Sequence, residues 1–228
     1  MLATVFVSLY VGMVADRMNE LVYPAELAGY TVEIMPSSSQ PATALQVRIV
    51  GWSQKFAEVI QLVVDQLQDT AFNESRFDLV KQLQAEDVAN LEYLDAYRQA
   101  LYWERLLLIE ERWAREDTLQ VIQQFNFSTF QQFVPCMFAR FKVEALWIGN
   151  SKPGDAEASL QPLVAALSTV DCPAPDPQFP FAPPQDLAPP LLSIGTLPPG
   201  SNFVLNVTYP LSINTALVSY WQFGPASV

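Results

Sequence analysis

The chain has 228 residues, half of them apolar, and a formal net charge of −12 from 24 acidic and 12 basic side chains. This length allows one full domain and part of a second, and the composition is that of a globular protein. Because phosphates and anionic lipid surfaces attract clustered Lys and Arg, the acidic balance argues against nucleic acid and membrane surfaces as partners.

The sequence contains no histidine. Histidine is the commonest zinc ligand and the usual general base near neutral pH, so its absence excludes Ser-His-Asp and Cys-His catalysis and every zinc site that contains histidine. The two cysteines, Cys136 and Cys172, cannot form a four-cysteine site, and two unpaired buried thiols are favoured over a disulfide between them. We therefore expect no catalytic residue, no metal ligand and no cofactor in this chain, and no substrate-binding residue can be assigned.

The chain is predicted to begin with a buried helix. Apolar residues recur at helical spacing from Val5 to Leu21, and the additional Val7 and Val11 indicate a helix covered on most sides. The start "LATVFVSLYVGMVA" has the length of a signal peptide, but it lacks the basic beginning and is too short to span a bilayer. A cytoplasmic location is expected, while three Asn-x-Ser/Thr sequons leave a secreted or organellar one open; they are at Asn73, Asn126 and Asn206.

Two strands are predicted after this helix. Residues Leu27 to Met35 form the first, entered through Gly29, and the second alternates apolar and polar residues from Leu45 to Ile49. The polar, proline-containing stretch "PSSSQPATA" between them is typical of an enlarged hairpin loop.

Helical patterns dominate the next hundred residues. The clearest follows a cap at Ser53 and places Phe56, Val59, Ile60, Val63, Val64 and Leu67 on one face. Asn73 is predicted to cap a second helix, with Phe77, Val80, Leu83 and Val88 facing inward. Further helices are predicted from Tyr97 to Arg112, from Arg115, and from a cap at Ser128, the last kinked at Pro135.

The C-terminal third is predicted to contain strands and a linker. The run "KVEALWIGN", Lys142 to Asn150, is expected to be a strand, followed by a short helix from Pro153 to Leu167. A proline-rich linker then precedes two more strands, at 202–209 and 215–223. The expected fold class is α+β, an antiparallel-type sheet covered by helices, divided into a domain over 1–170, a linker over 171–200 and the start of a second domain over 201–228.

An ordered set of segments resembles the insulinase (pitrilysin-like) metallopeptidases. These segments are "LVYPAELAGYTVEI", "VRIVGWSQK", "ESRFDLVKQ", "YRQALYWERLLLIEERW" and "FVPCMFARFKVEALWIGN". They resemble the third of the four homologous domains of that family, and "LPPGSNFVLNVTYPLSINTALVSYWQFG" resembles the entry to the fourth. The resemblance implies a metallopeptidase-like (LuxS/MPP-like) domain followed by a partial second copy.

In that family the zinc lies in the first domain, on a helix with the inverted H-x-x-E-H motif. The third and fourth domains share its fold without the metal, and the two halves enclose peptide substrates. The resemblance therefore implies a non-catalytic segment of a zinc metalloendopeptidase, inactive alone. Its partners would be the catalytic N-terminal half and peptide substrates, with a homodimer possible. A metal-free partner or structural subunit of the same fold, acting in protein assembly, is the alternative.

Three features of the sequence could be mistaken for a site. Glu20 and Glu26 flank a helix-to-strand turn, but without histidines they are expected to belong to the scaffold, and Gly29 is expected to need a positive φ. The segment "EERWARED", residues 110–117, is expected to form ordinary ion pairs rather than an acid–base pair. Aromatic side chains at helical spacing are expected in the core, with a substrate surface as the alternative; they are Tyr97, Tyr102 and Trp103.

Overall fold

The structure of the protein is a computed structural model. It describes residues 1–36, 44–109, 112–138, 141–150, 152–167, 197–198, 200–201, 203–208 and 214–222. Most of the predicted hairpin loop, the proline-rich linker, Glu110, Glu111 and Cys172 lie outside the described residues.

The described residues form seven α-helices and two β-strands. The helices are α1 Leu2–Leu27, α2 Phe56–Gln68, α3 Glu74–Asn90, α4 Ala96–Leu108, α5 Arg115–Gln124, α6 Phe127–Phe133 and α7 Pro153–Leu167. The strands are β1 Thr31–Pro36 and β2 Leu45–Val50. They pair in antiparallel register, with Val32 opposite Ile49 and Ile34 opposite Val47. The predicted α+β class is thus confirmed, as helices with a small antiparallel sheet.

Helix α1 forms the centre of the hydrophobic core, as its apolar pattern predicts. It packs against β1, α2, α3 and α5. Its buried side chains point in most directions around the axis; they are Val5, Phe6, Val7, Leu9, Tyr10, Val11, Met13, Val14, Met18 and Val22. A helix that is apolar on nearly all sides is stable only when neighbouring elements cover it.

The amphipathic patterns of α2 and α3 are largely confirmed, but one predicted cap is wrong. Ser53 does not cap α2. The backbone carbonyl of Ser53 accepts the Phe56 N–H in a turn before the helix, and Lys55, in a left-handed conformation, directly precedes α2. Asn73 does cap α3, since its Oδ1 accepts the Ser75 N–H at 2.9 Å. Leu83 is exposed rather than inward-facing.

The helices near the middle of the chain differ from the prediction at their ends. Helix α4 stops at Leu108, so Arg112 lies in the connection to α5. Asn126, not Ser128, caps α6, because its Oδ1 accepts the Thr129 N–H at 2.8 Å. Instead of continuing through the predicted kink at Pro135, α6 ends at Phe133, and a short 3-10 turn contains the proline, which lacks the N–H that would continue the helix.

The predicted C-terminal strands are not present in the described residues. The segment 141–148 is irregular, and Leu146 and Ile148 in it are highly exposed. Residues 203–208 and 214–222 are likewise irregular and largely exposed. An apolar run becomes a strand only where a neighbouring edge supplies hydrogen bonds, and the described strands pair only with each other.

None of the described helices combines the length and the apolarity needed to cross a membrane.

Candidate functional site

The helix-to-strand turn at Gly29 is a Schellman motif. The Tyr30 N–H donates to the Ala25 carbonyl at 3.0 Å, and the Gly29 N–H donates to the Glu26 carbonyl at 2.9 Å. This pattern requires a left-handed residue between helix and strand, and Gly29 has φ = +88°. The predicted positive φ is confirmed.

The two carboxylates beside this turn do not converge. Glu20 and Glu26 are both exposed on α1, and six residues of helix separate them, which places them on different sides of its axis. The guanidinium of Arg76 binds Asp16, and the charge of Glu20 acts in the same direction as Asp16 in raising the pKa of Arg76. The geometry therefore gives the pair no shared chemistry.

Replacing Gly29 by valine should lower the free energy of unfolding by about 1–3 kcal/mol, because a β-branched residue is strained at positive φ. A Cβ at this position would also lie 3.0 Å from Nε1 of Trp52. Thermal unfolding followed by circular dichroism measures the loss.

The matched control is Gly154→Val, since Gly154 lies in the first turn of α7 with open space around its Cα. Its melting temperature should stay close to that of the wild type. Equal losses in the two variants would show that the turn at Gly29 is not constrained.

The residues that the structure describes contain no group of three or more Asp, Glu, Cys or His side chains placed to hold a metal ion. With no histidine in the sequence, the donors of a catalytic zinc site are missing.

Comparison with known proteins identifies the family. The family description "Middle or third domain of peptidase_M16" matches residues 1–121, more than half of the chain. The chain belongs to this insulinase family. The matched region runs from α1 into α5, and so contains the Schellman turn and the sheet.

Three relatives of this insulinase-family chain are much longer than the chain itself. "Insulin-degrading enzyme-like 1, peroxisomal" of Arabidopsis thaliana is 23% identical over 222 residues, 96% of the chain and 22% of the relative. "Insulin-degrading enzyme" of Drosophila melanogaster is 28% identical over 138 residues, 60% of the chain and 14% of the relative. The "Insulin-degrading enzyme" of Homo sapiens is 23% identical over 142 residues, which are 62% of the chain and 14% of the relative. The chain thus spans about a fifth or less of their length.

The cysteine prediction for this insulinase-family domain is wrong. Cys136, in the 3-10 turn after α6, is disulfide-bonded, and no described cysteine is free. The spacing of two cysteines in a sequence cannot show whether the fold brings them together.

The acidic segment forms one described ion pair. Nε of Arg115 lies 2.6 Å from Oε1 of Glu116, which supports the expected ion pairing. The neighbouring Arg112 lies in the connection between α4 and α5.

The aromatic side chains of α4 are not in the core, contrary to the favoured interpretation. Tyr97 is 51% exposed, and its hydroxyl accepts a hydrogen bond from Nε of Arg98. Tyr102 and Trp103 are half-buried, with their rings 5.4 Å apart. The Tyr102 hydroxyl accepts the Arg115 N–H at 2.9 Å and so joins α4 to α5.

Sequence reasoning missed this junction between α4 and α5. The aromatic spacing drew attention to Tyr102, and the acidic segment drew attention to Arg112 and Arg115, but nothing in the sequence connects the two features. Arg105, three residues after Tyr102 on the same helical face, carries no sequence signal of its own.

Proposed function

We propose that this chain is a non-catalytic segment of an insulinase-type zinc metalloendopeptidase, that it helps to enclose peptide substrates, and that it is inactive alone. The observation that carries the proposal is the family match over residues 1–121 to a middle domain, in a chain that spans 14% to 22% of its relatives. Its partners would be the catalytic N-terminal half of the enzyme and the peptide substrate.

The residues of this chain do not fit a zinc ion of its own. The family's zinc helix needs two histidines, and the sequence has none. Of the two cysteines, Cys136 is held in a disulfide and cannot act as a thiolate ligand. Zinc chemistry would therefore be supplied from outside this chain, and no catalytic step is assigned to its residues.

The proposed domain division follows the distribution of the core. The described core residues extend from α1 to Leu167 at the end of α7, whereas Phe203, Leu205, Leu217 and Trp221 are exposed. We therefore place one middle domain at 1–170, a linker at 171–200 and the start of a following domain at 201–228. The exposed apolar side chains would be covered by the remainder of that domain, which supports the LuxS/MPP-like interpretation with a partial second copy.

The purified chain should bind no stoichiometric zinc and should not cleave a fluorogenic peptide, because it lacks the ligand set. Elemental analysis after dialysis and a peptidase assay measure the two properties. One tightly held zinc per chain, or cleavage by the chain alone, would contradict the proposal.

A chimera tests the positive part of the proposal. In the chimera, this chain replaces the corresponding segment of the Arabidopsis relative. That relative is suitable because its alignment covers 96% of this chain. The chimera should keep peptide cleavage, whereas deleting the segment should abolish it with zinc still bound in the catalytic half. A chimera that keeps zinc but has no more activity than the deletion would argue for the alternative, a structural subunit.

A further inference from the structure

Large apolar side chains are exposed where the Schellman turn joins α1 to the sheet. Leu27 is 73% exposed and Trp52 is 66% exposed, while Tyr23 and Val50 are at least half exposed. Apolar residues that are scattered singly over a surface need no explanation, whereas a contiguous patch of them usually marks an interaction site. Whether these four side chains are neighbours therefore decides their meaning.

The backbone brings the four side chains to one corner of the molecule. Tyr23 and Leu27 are four residues apart on α1 and so share a face of the helix. The indole of Trp52 lies against the turn, because a Cβ built on Gly29 would be 3.0 Å from its Nε1 and 3.7 Å from its Cδ1. Val50 ends β2, opposite the first residue of β1. The four residues thus form one surface, the corner patch.

Other exposed apolar side chains lie in a different setting. Leu146, Leu205 and Leu217 belong to irregular segments that border residues outside the described ones, so their exposure carries no argument. The corner patch is built instead on α1, on the end of β2 and on the turn between α1 and β1. The undescribed stretch 37–43 joins the opposite ends of the two strands.

The charged groups around the corner patch leave an excess of negative charge. Glu20 and Glu26 flank the exposed face of α1, one on each side, and neither forms an ion pair or a hydrogen bond with a described residue. Basic side chains of the neighbouring elements are held by carboxylates of this chain: Arg48 by Glu33 at 3.3 Å, Lys55 by Glu58 at 3.4 Å and Arg76 by Asp16. The charge of Glu20 also acts on Arg76, but two carboxylates then share one guanidinium.

This charge selects among the partners that an apolar surface can have. The glutamates would repel an anionic membrane. A second copy carries the same net charge of −12 and would bring its own glutamates against these. A cationic partner, in contrast, gains both from apolar burial and from charge attraction.

We propose that the corner patch is a docking site for a basic peptide segment, in which Lys or Arg side chains flank an apolar or aromatic anchor. The anchor packs on Leu27 and Trp52, and the cationic groups approach Glu20 and Glu26. Cations that pass over the exposed aromatic rings are attracted to them as well. The site stands apart from the proposed peptidase function, since it rests on the surface of this chain alone.

Fluorescence anisotropy with the full chain tests the proposal. Three end-labelled peptides with blocked termini are compared at constant ionic strength: LKWKL, its charge-reversed form LEWEL, and SKSKS, which keeps the charge without apolar residues. LKWKL should bind measurably, and each of the other two should bind about tenfold more weakly or less. Absence of binding by LKWKL would overturn the site, and so would equal binding of LKWKL and SKSKS, which requires net charge alone.

A pair of helix variants tests the apolar part of the site. Y23Q/L27Q should weaken binding of LKWKL about tenfold or more, because apolar contact area is lost. The matched control is L79Q/L83Q, since these two leucines are also exposed and have the same spacing on α3. Circular dichroism shows that both variants are folded. Equal affinities of the two folded variants would contradict the assignment to this corner.

A second pair of variants tests the charges. E20Q/E26Q should weaken binding of LKWKL about tenfold and reduce its dependence on salt, because exposed charges act through screened attraction. The matched control is D87N/D117N, which removes two exposed carboxylates on α3 and α5. Equal weakening by both variants would show a nonspecific response to net charge and would overturn the proposed role of the two glutamates.

Two further measurements test the other possible occupants of the patch. Sedimentation velocity detects a dimer, and flotation with phosphatidylserine vesicles detects membrane binding. The wild-type chain should show neither through this surface. A dimer that is lost in Y23Q/L27Q would assign the corner patch to a second copy, and vesicle binding lost in the same variant would assign it to a membrane; either result would overturn the proposal.

Discussion

Replacing Phe6 by alanine should destabilise the protein by about 3–5 kcal/mol, the range for deleting a large ring from a packed core. Phe6 has no exposed surface, and its ring centroid lies 3.7 Å from that of Phe133, 5.7 Å from Phe130 and 6.2 Å from Phe125. The residue thus joins α1 to α6 and to the end of α5. The midpoint of urea unfolding, with an unchanged m-value, measures the loss.

The control for Phe6 is the same substitution at Phe203, which is 70% exposed. Phe203→Ala should change the free energy of unfolding by less than about 0.5 kcal/mol, as exposed substitutions usually do. If both variants unfold at the same urea concentration, Phe6 is not at the centre of the core.

Replacing Arg17 by methionine should lower the free energy of unfolding by about 2–3 kcal/mol, because it removes several charge-assisted hydrogen bonds at once. The Arg17 guanidinium donates to the carbonyls of Gln66 and Asp69 at the end of α2, and to Ala71 just beyond. It also lies 2.9 Å from the Asp69 carboxylate. These bonds satisfy backbone carbonyls that a helix end leaves without partners.

Arg48→Met is the matched control, because Arg48 forms one exposed ion pair with Glu33 at 3.3 Å. An exposed pair of this kind contributes about 0–1 kcal/mol, so the control should unfold close to the wild type. Differential scanning calorimetry of both variants measures the difference. A similar small change for Arg17→Met would mean that water replaces the guanidinium at the end of α2.

Local sequence rules predicted the elements that neighbouring residues decide. The apolar spacing of α1 and α2 predicted their buried faces, and Asn73 predicted the start of α3, since these signals act within a few residues. Gly29 predicted a left-handed turn because few other residues adopt one. A zinc site of the family type needs histidine ligands, so the composition of the chain is enough to exclude one.

Only the tertiary structure decided the features that join distant residues. Nothing near Arg17 in the sequence shows that its guanidinium meets the end of α2 some fifty residues later. The run from Lys142 to Asn150 has the composition of a strand, but its described residues lack a neighbouring strand to complete their hydrogen bonds. The disulfide of Cys136 and the hydrogen bond from the Arg115 N–H to the Tyr102 hydroxyl depend in the same way on which segments the fold brings together. Composition and spacing determine what a segment can form, whereas long-range contacts determine which of those possibilities is satisfied.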